Sequence, residues 1–229
     1  MIIKGLQKTT LLDFPSKVAC TVFTGGCNFR CPFCHNASLV LTPKDVPEIP
    51  EEEFFAFLQK RHGVLEGVCI TGGEPLLQND IIPFIERIHS MGFAVKLDTN
   101  GSFPDKLRDI IERGIIDYVA MDVKNCRDKY ALTAGFNGDV DKIFQSIEYI
   151  MSCGIPYEFR TTVVKELHTV SDIEKLAREI SGARAYYLQG FVDSDDLIGQ
   201  NYTAHTEDIM RQMLAAATPH VKVCQLRGI

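Results

Sequence analysis

An α/β fold, with a parallel sheet covered by helices, is predicted by three observations. Short apolar runs alternate with segments of helical period along the whole chain. The alternation repeats about six times and ends on a further strand. The strand-like runs are short and apolar, as in strands buried on both faces. A closed eight-unit barrel takes about 250 residues, so six units suit a chain of 229 better.

Residues 1–17 read as a lead-in, with turn chemistry around Pro15. The first expected strand is 18–23, Val-Ala-Cys-Thr-Val-Phe, rich in β-branched and aromatic residues. Residues 37–50 hold three prolines and read as a loop. Helix 51–61 follows Pro50 and puts Phe54, Phe55 and Leu58 on one face. Strand 67–71 leads to helix 80–91, where Ile81, Phe84, Ile85 and Ile88 keep helical spacing and Gly92 is the stop. Strand 93–97, helix 104–113 ending at Gly114, and strand 117–123 come next. Helix 141–153 is drawn by Ile143, Phe144, Ile147 and Ile150 and stops at Gly154. Strand 156–164, helix 172–180 with Ser171 as N-cap, strand 185–191, helix 207–217 and strand 221–226 complete the chain. With no fixed-period repeat and no low-complexity stretch, residues 1–229 read as a single domain.

Composition narrows the class. Hydrophobic residues make up 45% and charged residues 24%, as in an ordinary globular protein. A net charge of −6, without any Lys/Arg block, argues against nucleic acid as the main partner. No apolar run has the length of a signal peptide or a membrane span, so a cytoplasmic protein without a membrane partner is expected. In that compartment, eight cysteines suggest metal binding or packing over disulfides.

Three of the cysteines stand together in Cys27-Asn-Phe-Arg-Cys31-Pro-Phe-Cys34-His-Asn, spaced C-x3-C-x2-C. The same spacing would fit one face of a buried helix. Pro32 and the preceding Gly25-Gly26 oppose that. Thiolates select iron–sulfur clusters, zinc or Cu(I). No fourth ligand stands nearby at zinc-knuckle spacing, and a cubane held by three cysteines keeps one iron open. Cys20, Cys69, Cys126, Cys153 and Cys224 are scattered singly and read as packing residues, with no auxiliary cluster.

This loop, with Phe33 just before its third cysteine, resembles the signature of the radical S-adenosylmethionine (SAM) enzymes. Together with Leu-Leu-Asp-Phe-Pro at 11–15 and the Cys-His-Asn tail, it is most similar to the glycyl-radical-enzyme activases, in particular those of anaerobic ribonucleoside-triphosphate reductase. The resemblance implies a partial (β/α)6 barrel with parallel strands and outer helices, one [4Fe–4S] cluster on Cys27, Cys31 and Cys34, and SAM on the open iron. One departure is Gly26, where many relatives carry glutamine.

The ends of the expected strands carry further motifs, and ligands gather there in parallel α/β folds. Thr71-Gly72-Gly73-Glu74-Pro75 reads at the least as a strand-to-helix turn; by resemblance its backbone meets the methionine amino group. Asp98-Thr99-Asn100-Gly101 reads as an Asn-Gly turn or, by resemblance, as residues near the methionine part of the cofactor. In Met121-Asp122-Val123-Lys124, period-two alternation turns Asp122 and Lys124 the same way. They read as a surface pair or, by resemblance, place Lys124 near the cofactor carboxylate. The resemblance also allows a monovalent cation shared by Asp98, Thr99 and Asp122. Arg160 is a carboxylate-binding donor. His168 matches a histidine that contacts the cofactor in the activases, and Phe33 and Gln189 are assigned to the adenine side.

The function so implied is reductive cleavage of SAM to a 5′-deoxyadenosyl radical, which takes a hydrogen from a glycine of a partner enzyme. Flavodoxin or ferredoxin would supply the electron. No nucleophile–base pair is needed, and none is visible. Two alternatives stand beside it. A small-molecule radical SAM enzyme such as 7-carboxy-7-deazaguanine synthase shares Thr-Gly-Gly-Glu-Pro but should carry Glu-Thr-Asn-Gly and lack Met-Asp-Val-Lys. A non-catalytic iron–sulfur redox module would not need motifs on successive strand ends.

Overall fold

The computed structural model describes residues 1–194 and 196–229. One sheet holds eight strands in chain order: β1 (Ile3–Thr10), β2 (Ala19–Thr24), β3 (Gly67–Gly72), β4 (Ala94–Thr99), β5 (Tyr118–Asp122), β6 (Tyr157–Val163), β7 (Tyr186–Gly190) and β8 (Cys224–Arg227). β1 runs antiparallel to β2. All later neighbours pair in parallel. The connecting helices are α1 (Ala37–Leu41), α2 (Glu51–Lys60), α3 (Ile81–Ser90), α4 (Pro104–Glu112), α5 (Arg127–Ala134), α6 (Asp141–Ser152), α7 (Val170–Glu179) and α8 (Glu207–Ala217). From β2 to α8 this makes six β/α units, with β8 as the terminal strand. Among the described residues no pairing joins β1 to β8, so the sheet is a partial barrel.

Each parallel strand has one apolar face under a helix. Val95, Leu97, Val119, Met121 and Phe159 are fully buried, as are Ile81, Ile85 and Ile88 of α3 and Ile143 and Ile150 of α6. Burying these side chains contributes roughly 1.5–3 kcal/mol each. The other face carries Lys96 and Asp98 on β4, Asp122 at the end of β5, and Glu158 and Arg160 on β6. They are linked to one another by ion pairs. Charge on that inner face requires partners, and the strand register supplies them: Asp122 lies directly opposite Arg160.

Five elements depart from the sequence expectation. The lead-in contains β1, whose Gln7, Lys8 and Thr9 are exposed, so an edge strand leaves no apolar pattern to read. Within the expected loop 37–50, Ala37, Leu39 and Val40 are buried by the short α1. α5 has only Tyr130, Thr133 and Ala134 buried, too few for a helical stripe. α7 begins earlier than expected and is capped by Thr169, not Ser171. Thr169 and Asp172 form a reciprocal capping box, and Thr169 N donates to Asp172 Oδ2 at 2.9 Å. β8 begins at Cys224 and not at 221. Among the described residues no helix is long and apolar enough to cross a membrane.

Candidate active site

A cavity of about 180 Å³ opens at the C-terminal ends of the central strands. Its wall includes eleven of the residues singled out in the sequence: Cys27, Phe33, Cys31, Cys34, Gly72, Gly73, Asp98, Thr99, Asn100, Asp122 and Lys124. Phe29, His35, Asn36, Val40, Thr71 and Thr162 complete it. Glu74, Arg160, His168 and Gln189 are not on the wall, and the first three act on residues that are.

The cysteine loop follows β2 and is held by distant backbone. Gly26 N donates to Leu39 O at 2.8 Å, and Arg30 N donates to Ala134 O, at the end of α5, at 3.0 Å. Phe29 fills an apolar pocket against Phe136 and Tyr130, with ring centroids 4.6 and 6.3 Å away. Two glycines make these approaches possible. A Cβ on Gly73 would lie 1.9 Å from Gly26 O, and one on Gly135 would lie 2.4 Å from Arg30 O. The glycine pair after β3 therefore admits the cysteine loop itself, besides leaving bare backbone at the cavity.

Glu74 is buried under this junction. It accepts from Thr99 Oγ1 at 2.8 Å, Asn100 N at 2.7 Å and Leu76 N at 3.0 Å, tying the turn after β3 to the turn after β4. Burial pushes its carboxyl up to about 7, against the pull of those three donors. Asn100 continues the chain. Its Nδ2 donates to Asn28 Oδ1 at 3.0 Å and lies 3.8 Å from Cys27 Sγ.

Opposite the cysteines, five charged groups form one cluster. Asp98 Oδ1 meets Lys96 Nζ, and Asp98 Oδ2 accepts from Arg160 Nη2 at 3.0 Å. Asp122 Oδ1 accepts from Arg160 Nε at 2.9 Å, and its Oδ2 accepts from Lys124 Nζ at 3.1 Å. Burial alone would raise both carboxyls, but Arg160 with Lys96 holds Asp98 below its ordinary value, and Arg160 with Lys124 does the same for Asp122. Lys124 is raised despite burial, by Asp122 first and Cys31 next. The Asp122–Lys124 pair is thus a cavity-wall pair within a network, not an isolated surface pair.

His168 is fully buried behind Lys124. Its Nδ1 accepts from Val164 N at 3.0 Å, which leaves Nε2–H to donate to Lys124 O at 2.8 Å. Both nitrogens are used by backbone, and burial keeps the ring's pKa below the ordinary histidine value. This histidine braces the Lys124 backbone and lies off the cavity wall. Gln189 sits half-buried on β7, in register with Thr162 and Arg227, away from the cavity wall.

The thiols fit an iron–sulfur cluster. All three are free, and they face one cavity. Burial first, and the charges of neighbouring cysteines among the further causes, push Cys27 up to about 11 and Cys31 up to about 12. Thiolates so placed need a cationic centre to hold them deprotonated. Among the described residues no three His, Cys, Asp or Glu side chains converge on a point suited to a single metal ion. The monovalent cation fits less well. Every carboxylate oxygen of Asp98 and Asp122 already meets a cationic nitrogen, and Thr99 Oγ1 donates to Glu74 while accepting from Gly101 N at 3.1 Å.

Lys96 is the main residue that sequence reading passed over. It lies inside an apolar strand, but the period of two puts it on the same face as Asp98, and that was the available signal. Asn28 and Ser102, which hold Asn100 in place, carried none.

The model of the radical SAM superfamily matches residues 21–180. A protein of Methanocaldococcus jannaschii named as a glycyl-radical enzyme activating enzyme is 34% identical over 202 residues, covering 85% of this chain and 81% of that one. The chain belongs to the radical SAM superfamily, and within it to the family of that archaeal protein. It is also similar to 7-carboxy-7-deazaguanine synthase of Thermoplasma acidophilum, 34% identical over 130 residues, or 56% of this chain and 57% of that one. A domain of pyruvate-formate lyase-activating enzyme from Bacteroides vulgatus shares the fold, with a TM-score of 0.57, 18% identity, and coverage of 71% of this chain and 99% of that one.

Proposed function

We propose that this chain is an activase that cleaves SAM reductively and installs a glycyl radical on a partner enzyme, with anaerobic ribonucleoside-triphosphate reductase the first partner to test. The observation that carries the reading is the meeting of the cysteine loop and the ends of β3, β4 and β5 around one cavity. A bound [4Fe–4S] cluster on Cys27, Cys31 and Cys34 supplies the electron for that cleavage. The chain's own residues hold the substrate. Gly72 and Gly73 offer backbone without side chains. Lys124, braced by His168, directs an ammonium at an anionic group. Arg160 fixes Asp98 and Asp122 from behind. Hydrogen-atom abstraction needs no acid or base, so orientation and exclusion of side reactions are what the residues provide. The open sheet leaves a side by which a polypeptide can approach. Flavodoxin or ferredoxin as electron donor, and a cytoplasmic location, belong to the same proposal.

The test is anaerobic incubation of the reconstituted, reduced protein with SAM and each candidate partner, read by electron paramagnetic resonance. A glycyl radical on the partner is expected. Cleavage of SAM with no protein radical on any candidate would instead support a small-molecule substrate, the reading that similarity to the deazaguanine synthase favours. No cleavage at all would return the chain to a redox module.

A further inference from the structure

We propose that Lys96 is a built-in replacement for the monovalent cation, so that the site excludes Na+ and K+ and works without them. Three observations carry this. The oxygen set that would hold such a ion is already used: Asp98 by Lys96 and Arg160, Asp122 by Arg160 and Lys124, and Thr99 by Glu74. Lys96 is 1% exposed, so its side-chain nitrogen must find its partners inside the protein, and Asp98 is the one it meets. Its Nζ lies between Asp98 Oδ1 and Cys69 Sγ, the latter at 3.7 Å, within the inner face and not toward solvent.

The charge balance points the same way. Lys96, Lys124 and Arg160 face Asp98 and Asp122, and the buried Glu74 carboxyl is held beside them by Thr99, so three cationic side chains meet three carboxyls. Adding the neighbouring Glu158–Arg227 pair leaves that balance unchanged. A further cation would enter a region whose carboxyls already have partners and which water screens poorly. Exclusion of the metal cation stands on the geometry alone; its effect on SAM binding rests on the functional reading above.

Two measurements separate these parts. Thallium(I), a probe for K+, is titrated into the protein and followed by 205Tl magnetic resonance. The wild-type protein should show no saturable broadening that K+ reverses, whereas Lys96→Ala, which frees Asp98 Oδ1, should gain a saturable K+-competed site. Saturable thallium binding by the wild type overturns the proposal whether or not the variant folds. A folded Lys96→Ala protein that gains no site overturns it too, since Lys96 would then be a structural counter-ion only. Affinity for SAM is then measured on the reconstituted protein in KCl, NaCl and choline chloride of equal ionic strength. Wild-type affinity should be the same in all three, and Lys96→Ala should bind weakly in choline and recover about tenfold in KCl, a difference readily resolved by titration. A similar gain for the wild type would refute the proposal. Absence of SAM binding in every salt would overturn the functional reading, and the thallium result would still decide on cation exclusion.

Discussion

The two walls of the cavity are built on opposite principles. The cysteine wall comes from eight consecutive positions, 27–34, and is held by backbone: carbonyls of Leu39 and Ala134, a ring pocket for Phe29, and glycines that let chain touch chain. The charged wall comes from β4, β5, β6 and the turn after β5, and it is held chiefly by side chains, each carboxylate oxygen of Asp98 and Asp122 answered by a nitrogen. Side-chain substitution should therefore damage the first wall at its cysteines, at Phe29 and at the glycines beneath it, whereas the second should fail wherever one partner is removed. Its buried charges tolerate no vacancy.

The largest expected effect is at a ligand. Cys31→Ala should abolish SAM cleavage and the iron–sulfur absorption band while leaving the folded circular dichroism spectrum; an unchanged four-iron spectrum would refute the ligand assignment. Next is Arg160→Met, which leaves Asp98 Oδ2 and Asp122 Oδ1 without their partner. We expect a loss of about 3 kcal/mol in denaturant unfolding together with loss of SAM binding. A variant as stable as wild type would show that the charged wall is not held as described. Gly73→Ala tests the backbone-built wall. Its methyl meets Gly26 O, so the two backbones must move apart: iron uptake should fall severalfold and the melting temperature should drop with it. Normal iron content would break the contrast between the walls.

The smallest effect concerns pH. Glu74 is raised from 4.5 to about 7 in the folded chain, so its contribution to stability is full below 4.5 and is lost as pH rises through about 7. The stability of Glu74→Gln relative to wild type should therefore shift in the variant's favour across that window. A pH-independent difference would mean that the carboxyl is ionised throughout.

The same contrast explains what the sequence disclosed. Cys27, Cys31 and Cys34 are contiguous, so their spacing is visible, and the six β/α units follow from burial patterns on α3 and α6. Asp98, Asp122, Lys124 and Arg160 stood out by their strand-end positions, but their pairing depends on register between strands, which a linear chain does not display. Lys96 was hidden among apolar neighbours. His168 drew notice as a cofactor contact, and its backbone partners Val164 and Lys124 were not legible, because a histidine bonded to backbone and one facing a ligand look alike in sequence. β1 and α5 lack apolar stripes, one as an edge and the other as a short, charged helix.

The approach of Gly73 to Gly26 also bears on the order of assembly. The carbonyl of Gly26 receives Glu74 N at 2.8 Å, and Arg30 N needs the end of α5, about a hundred positions away along the chain. The shape of the loop therefore depends on contacts with the turn after β3 and the end of α5. We expect a cluster to enter a socket that the protein has already formed, unlike a zinc finger, whose chain folds around its metal. Treatment with a chelator should strip the metal and leave far-ultraviolet circular dichroism and the melting transition nearly unchanged; collapse of the transition on stripping would place metal capture before folding.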